Sequence, residues 1–383
     1  MKVVNVLFDD RYGGPQKRVL QVAKSLAGCG VQTVLCLPEG KGNTASIALE
    51  GGVDVSRVPF GRIPRPRELT NVLRWLFGLP GDVRRFMELF RRELPDVVHV
   101  NGAFFLAPAI AAKLAKIPLV WHLNDTVVPS RAAVVFGVLV RGLADRIVVA
   151  AEAVAKHYAV TASSYTVIYA PVDIEGFLVA GTEPGGTESG GTVARVGLVA
   201  NWNPLKGLEY FVRAAALVRY ELGSEVEFVI AGARLDTHSG YAHRVEGLIG
   251  ELDLHSSVRE LGFLPSVAPM LETLDVLVLS STAEASPMVV LEGMAAGVPV
   301  VATDVGGVRE MLLGDLARPA GVVVPPRDPE AMSGAILSLL NNPEEAGRLG
   351  KNGRRLAEER FSLEICARRH LEVYESLAED PMS

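Results

Sequence analysis

Cysteine is scarce in this chain: three among 383 residues, at positions 29, 36 and 366. So small and scattered a set cannot build a complete disulfide framework, and it fits a reducing compartment. No apolar run approaches the roughly 18 residues of a spanning helix. The best candidate, 132–140, is short and sits between Arg131 and Arg141. Positive charge is not in excess either, since 38 Lys+Arg against 44 Asp+Glu gives −6. That balance argues against a general nucleic-acid binder. The opening MKVVNVLFDD reads as a strand ending at two aspartates, without the apolar core and cleavage site of a secretory leader. A soluble, cytoplasmic chain is expected.

What is present is an alternation. Short β-branched runs (VVNVLF, VQTVLCL, DVVHV, PLVWHL, RIVVA) are separated by amphipathic segments such as 16–27, where Val19, Leu20, Ala23, Leu26 and Ala27 share one face. Gly28 and Gly30 supply the stop. Such alternation predicts βαβ units in a doubly wound parallel sheet. The pattern breaks at the Gly/Thr/Ser-rich stretch AGTEPGGTESGGT (180–192), then strand-like runs resume with VARVGLVA, VEFVIAG, LDVLVLS, VPVVAT and GVVVP. Two α/β domains are therefore expected: 1–175, a linker 176–192, and 193–360. A closing helical piece, 361–383, carries Leu363, Cys366, Leu371 and Tyr374 in one stripe that must be buried, and the first domain is a plausible place for it.

Ligands of open α/β sheets bind beyond the carboxyl ends of the strands, so those loops carry the candidates. After the first strand, Gly13-Gly14-Pro15 opens a helix. It is either a tight turn or an N-terminus left free for an anion. After the first strand of the second half, Asn201, Lys206 and Gly207 precede another helix, and a lysine there acts as a point charge on phosphate or is simply a surface residue. The densest signal is SSTAEASPMVVLEGMAAGVPVVATDVGG (280–307). A loop carrying Glu284 leads into a helix that is apolar almost all round, with Glu292 in its middle. A carboxylate in such surroundings needs hydrogen-bond donors: a ribose diol, or a structural arginine or backbone N–H. N–H groups near Ser286 and Met288, at the start of that helix, would suit a pyrophosphate.

His99 and His122 end strands of the first half, as sugar-binding or acid–base groups or as hydrogen-bonded structural residues. Neither metal-ligand spacing nor an Asp-x-Asp pair is found, so no metal and no cofactor is expected. GxGxxG, P-loop and G-x-S-x-G motifs are also missing. Across 57–92, nine arginines alternate with Trp75, Phe77, Phe86 and Phe90. The stretch is either a basic, aromatic surface for anionic lipid or acceptor, or a solvated helix whose aromatics face the core.

With these residues in view, the chain resembles glycosyltransferase family four, the retaining nucleotide-sugar enzymes of GT-B fold. EASPMVVLEGMAAGVPVVAT is similar to that family's E-x7-E segment. GGPQKRVLQVAKSLAGCGVQT, PDVVHVNG, NPLKG, FVIAGA, LGFLP and the closing helix follow in the family's order. The resemblance implies two Rossmann-like domains facing a cleft, with donor held mainly by the second. It implies that Glu292 binds the donor ribose and Glu284 the transferred sugar's hydroxyls, with Ser286, Met288 and Val289 among the donor-binding residues. Lys206 would hold the pyrophosphate, approached by Gly13 and Gly14, while Gly262, Phe263 and Leu264 lie near the base. His122 matches a histidine that contacts the sugar, and catalysis would rest on Glu284, Lys206 and His122.

Two departures stand out: Asn201 occupies a position where the family commonly has arginine, and Ala285-Ser286-Pro287 replaces a glycine-containing stretch. The expected partners are a nucleotide diphosphate sugar and a sugar, glycan or lipid-linked acceptor. Contact with the inner face of a membrane through 57–92 is a further expectation, and nucleic acid is not. The rival readings are a non-catalytic nucleotide-sugar-binding scaffold and an epimerase of the same fold.

Overall fold

The computed structural model describes residues 1–40, 42–61, 69–103, 105–161, 164–177 and 193–378. It divides into two compact units, Met1–Pro171 with Leu363–Ser383, and Val172–Ser362. The stretch 178–192, which holds the Gly-rich segment, lies outside the described residues.

The first unit is built on a parallel seven-stranded sheet in the order β3-β2-β1-β4-β5-β6-β7. Its strands are β1 Lys2–Val6, β2 Gln32–Leu37, β3 Asp54–Arg57, β4 Val97–Asn101, β5 Leu119–Leu123, β6 Arg146–Val149 and β7 Tyr165–Val167. β4 and β5 are buried at every residue, as expected of strands covered on both faces. The helices are α1 Gly14–Ala27, α2 Thr44–Glu50, α3 Leu69–Glu93, α4 Leu106–Ala115, α5 Ser130–Leu143 and α6 Glu152–His157. The short strands β3 and β7 escape a reading based on apolar runs: DVSR and YTV offer no such run.

The second unit has a parallel six-stranded sheet, β10-β9-β8-β11-β12-β13. It comprises β8 Ala194–Val199, β9 Val226–Ala231, β10 Val258–Gly262, β11 Val276–Leu279, β12 Val300–Thr303 and β13 Gly321–Val324. Around it lie α7 Leu208–Leu222, α8 Ser239–Glu251, α9 Ala268–Leu271, α10 Met288–Ala295, α11 Val308–Leu313, α12 Pro329–Leu340 and α13 Pro343–Arg360. Asp328 and Asn342 cap α12 and α13 through their side chains, each with proline in the first turn. β10 is an edge strand with a bulge between Glu260 and Gly262, and its exposed VRELG sequence hides it from an apolar-run reading.

The last helix, α14 Leu363–Ala378, returns to the first unit. Cys366, Val373, Tyr374 and Leu377 pack with Val3, Val22, Leu26, Val97, Val120 and Val148, and Leu363 and Leu371 lie against the rim. Burying side chains of this size stabilises by roughly 1.5–3 kcal/mol each. Among the described residues, no helix is long and apolar enough to cross a membrane.

Candidate functional site

In both sheets the chain starts in the middle and runs outward, then crosses back, so the carboxyl ends of β1/β4 and of β8/β11 are topological switch points. Loops leaving adjacent strands in opposite directions open a crevice there.

In the second unit that crevice is furnished by two loops. After β8, Asn203 accepts the Leu205 N–H at 3.0 Å and caps a short 3-10 turn, Pro204–Lys206. Gly207 then takes φ +60°, and a Cβ there would stand 2.3 Å from the Ser280 carbonyl oxygen, so only glycine lets the loop after β8 pass the loop after β11. The two are stitched together: Ser280 Oγ donates to the Lys206 carbonyl at 2.8 Å, and Thr282 N–H donates to the Leu205 carbonyl at 2.8 Å. This brings Lys206 Nζ to 2.6 Å from Glu284 Oε1, which also accepts from Ser281 Oγ at 2.7 Å. Thr303 Oγ1, from the end of β12, donates to the Ser281 carbonyl at 2.6 Å and steadies the loop. On the far side Gly306, at φ +53°, lies so close to the Glu284 carbonyl that a Cβ would overlap it.

Glu284 leads into α10. No side chain caps that helix, whose first residues Met288 and Val289 are half-buried. The Val290 N–H is taken by the Pro287 carbonyl at 3.1 Å, which leaves the Met288 and Val289 N–H groups for an anion, and the helix dipole favours one. Farther along, Glu292 is 7% exposed among Val290, Leu291, Met294 and Ala295. At the other end Arg354 of α13 donates to the Ala295 carbonyl, so α10 is fixed from behind. Ser286 lies half-buried, its hydroxyl 3.8 Å from the Met311 sulfur.

Asn201 is not a cation in waiting: its Oδ1 accepts from the Ala233 N–H at 2.9 Å and ties the β8 loop to the end of β9. A cation that inspection of the sequence misses stands nearby. Arg234 lies 4.6 Å over the ring of buried Trp202, held by a forked pair to Glu260 and by Glu246. No motif flags it, because its partners come from α8 and β10. Gly262 ends β10 at φ +66°, its carbonyl accepting from the Gly232 N–H at 2.7 Å, followed by a 65% exposed Phe263 and a half-buried Leu264.

In the first unit, Gly13 and Gly14 begin α1, with Pro15 in its first turn and no capping side chain. Gly13 is extended at φ −164°, and a Cβ there would meet only Gln16 Oε1 at 3.5 Å. Neither backbone nor packing demands glycine, so its smallness leaves the helix N-terminus open.

β5 holds His122 in the interior of the first unit at 0% exposure. Its Nε2 lies 3.0 Å from Arg18 Nη1, and arginine only donates, so the proton resides on Nδ1. The ring stacks on His99 and lies against His370 of α14, while His99 Nδ1 pairs with Tyr374 Oη at 2.6 Å. Burial holds all three histidines below their ordinary pKa, His370 at about 4, and Arg18 at about 10. One ligating atom from each of the three lies within 4.8 Å of the others, a convergence invisible in the sequence spacing. The group contains no carboxylate, and the adjoining guanidinium opposes a cation there. Of the aromatics in 57–92, Phe86 and Phe90 lie in the core at 0% and 2% exposure, whereas Phe77 is 85% exposed. Arg62, Arg65 and Arg67 fall outside the described residues.

Comparison with known proteins decides the family. Residues 187–356 match the model of glycosyl transferases group 1, and residues 13–169 match the glycosyl transferase 4-like domain. The two matches together run through both units and place the chain in the family of GT4-type glycosyltransferases. The chain is 32% identical over 176 residues to the MMP alpha-(1->4)-mannosyltransferase of Mycolicibacterium hassiacum, covering 45% of this chain and 40% of that one. It is 34% identical over 178 residues to the alpha-D-kanosaminyltransferase of Streptomyces kanamyceticus, covering 45% of this chain and 43% of that one. The matched segment thus spans less than half the length of either relative. In fold it is similar to Anabaena Alr3699/HepE, crystallised with UDP, at TM-score 0.80 and 20% identity over 98% of this chain and 100% of that one. A glycosyltransferase from Rickettsia africae gives TM-score 0.81 at 18% identity over 99% of each chain. The architecture is GT-B, with two doubly wound parallel-sheet units.

Proposed function

We propose that this glycosyltransferase moves a sugar from a nucleotide diphosphate sugar to an acceptor hydroxyl with retention of anomeric configuration. The observation that carries the reading is the pairing of Lys206 with Glu284 across the β8/β11 switch point, beside the uncapped start of α10. In it, Lys206 Nζ and the α10 N–H groups neutralise the charge that develops on the departing diphosphate. Glu284, half-buried and held by Ser281, accepts hydrogen bonds from hydroxyls of the transferred sugar. Glu292, one helical stretch further in, accepts from the ribose diol, and the Gly262–Leu264 loop flanks the base. His122, enclosed by Arg18 and His99, is assigned to the framework of the first unit and not to the chemistry.

The reading assigns no step to a metal, and activity is expected to survive chelation by EDTA. Uridine diphosphate is the first nucleotide to test, because HepE is crystallised with it. The decisive experiment pairs two readouts. A nucleoside diphosphate that binds only the folded chain at about 100 times its Kd stabilises it by roughly 2.7 kcal/mol. A rise in Tm with one diphosphate, lost in E292Q, is expected. Turnover with the matching sugar nucleotide and an acceptor panel should give a product whose anomeric proton coupling equals the donor's. Binding without turnover on every acceptor favours the scaffold reading, release of free epimerised sugar favours an epimerase, and an inverted product removes retention.

A further inference from the structure

We infer that the outward face of α5 is a docking surface for an anionic lipid bilayer. The helix reads SRAAVVFGVLVRGL, and folding turns its most apolar residues to solvent. Val134, Val135, Val138 and Leu139 are 46%, 61%, 55% and 41% exposed, and Val127 just before the helix is 55% exposed. At helical spacing Val134, Val135, Val138 and Leu139 form one stripe, with Arg131 within it and Arg141 at its edge, both exposed. An aliphatic stripe of this kind on a surface helix marks a contact with something apolar.

The helix cannot roll to hide that stripe. Its inner face is Ala133, Gly137 and Val140, and a Cβ on Gly137 would overlap the Tyr158 carbonyl oxygen. So close a backbone approach fixes which face looks outward. Nor can the helix span a bilayer: 14 residues rise only about 21 Å against a hydrocarbon core of about 30 Å. A short helix with an apolar stripe and flanking arginines lies in the interface plane.

Charge selects the occupant. Between Thr126 and Leu143 there are two arginines and no acidic residue. A second copy docked on this face about a two-fold axis would set basic ends against basic ends. Anionic headgroups complement both. The neighbours add to it: α5 packs on α4, which exposes Leu114 and is followed by exposed Lys116, while Lys113 is paired with Asp145 at 2.6 Å, and α4 packs on α3, which exposes Arg74, Leu76 and Phe77. The bilayer surface is thus centred on a segment whose apolar run the sequence shows, not on the arginine–aromatic stretch whose Phe86 and Phe90 turn inward.

The full-length chain should co-sediment with phosphatidylcholine vesicles containing phosphatidylglycerol, and much less with phosphatidylcholine alone or in high salt. The double variant V135E/V138E, altered only on the exposed face, should lose at least about tenfold in partitioning. R131Q and R141Q should each lose roughly fivefold. Melting temperature and the response to nucleotide should match wild type in all three, which separates loss of docking from loss of fold. Equal partitioning by V135E/V138E overturns the proposal, as does vesicle binding indifferent to phosphatidylglycerol. A dimer in sedimentation velocity that V135E/V138E dissociates, without vesicle binding, assigns the face to self-association instead.

Discussion

Lys206 and Glu284 stand 78 positions apart in the chain, yet Nζ and Oε1 meet at 2.6 Å in the second unit. Their pairing is a product of topology: one belongs to the loop after β8, the other to the loop after β11, and these strands are neighbours only because the sheet order reverses between them. On the proposed reading, a diphosphate and its sugar would meet at this pair, and the ion pair pre-positions both groups.

The two residues should fail differently. On the proposed role, K206A removes a charge that stabilises the departing diphosphate, and a fall in kcat of about 10²–10³-fold is expected, in line with the loss of one such donor. E284Q keeps the shape and can still accept at one oxygen, so a smaller loss is expected, with E284A falling further. Initial-rate kinetics with the donor identified by melting shifts would read these. A wild-type rate in E284A would remove its assigned role.

Gly207 tests whether the contact between the two loops is obligatory. G207A must adopt φ +60° and place its Cβ 2.3 Å from the Ser280 oxygen, whereas Gly223 has the same φ with open space around it. Gly223 sits at ψ −131°, outside the left-handed helical basin, so G223A should cost only backbone strain, on the order of 1–3 kcal/mol. G207A should cost clearly more and also weaken nucleotide binding, because the Lys206 loop has to move. Urea unfolding of the two variants side by side makes the comparison, and equal midpoints would show that the loop yields freely.

The histidine cluster sets an acid limit on the first unit. Burial lowers the folded pKa of His99, His122 and His370, the last to about 4, with Arg18, Cys366 and Tyr374 as the titratable groups around them. In the unfolded chain each histidine takes up a proton near pH 6.5. Between the folded and unfolded values the unfolded chain binds more protons, so stability rises with pH across that window. Taken downward from about pH 6.5, stability should fall by up to about 1.4 kcal/mol per pH unit for each histidine. Unfolding midpoints from pH 7.5 to 4.5 should show this slope, and H370Q should flatten it. A slope unchanged by H370Q would place the titration elsewhere.

The alternation of β-branched runs with amphipathic segments was enough to indicate parallel strands and crossover helices, because a strand buried on both faces must be apolar throughout. The run from Glu284 to Glu292 was legible for a related reason. A carboxylate inside an apolar helix and a glutamate before its uncapped end are local features, written in consecutive residues. Local sequence also made β3, β7 and β10 hard to see, since edge strands lack the double burial that marks the central ones. What only the tertiary structure decided is which distant residues meet. Sheet order brought Lys206 to Glu284, and the return of α14 set His370 beside His99 and His122. Close packing of Gly137 on Tyr158 turned the valines of α5 outward, although their sequence alone reads as core. Periodicity states which residues share a face, but the burial of that face depends on backbone contacts made far along the chain.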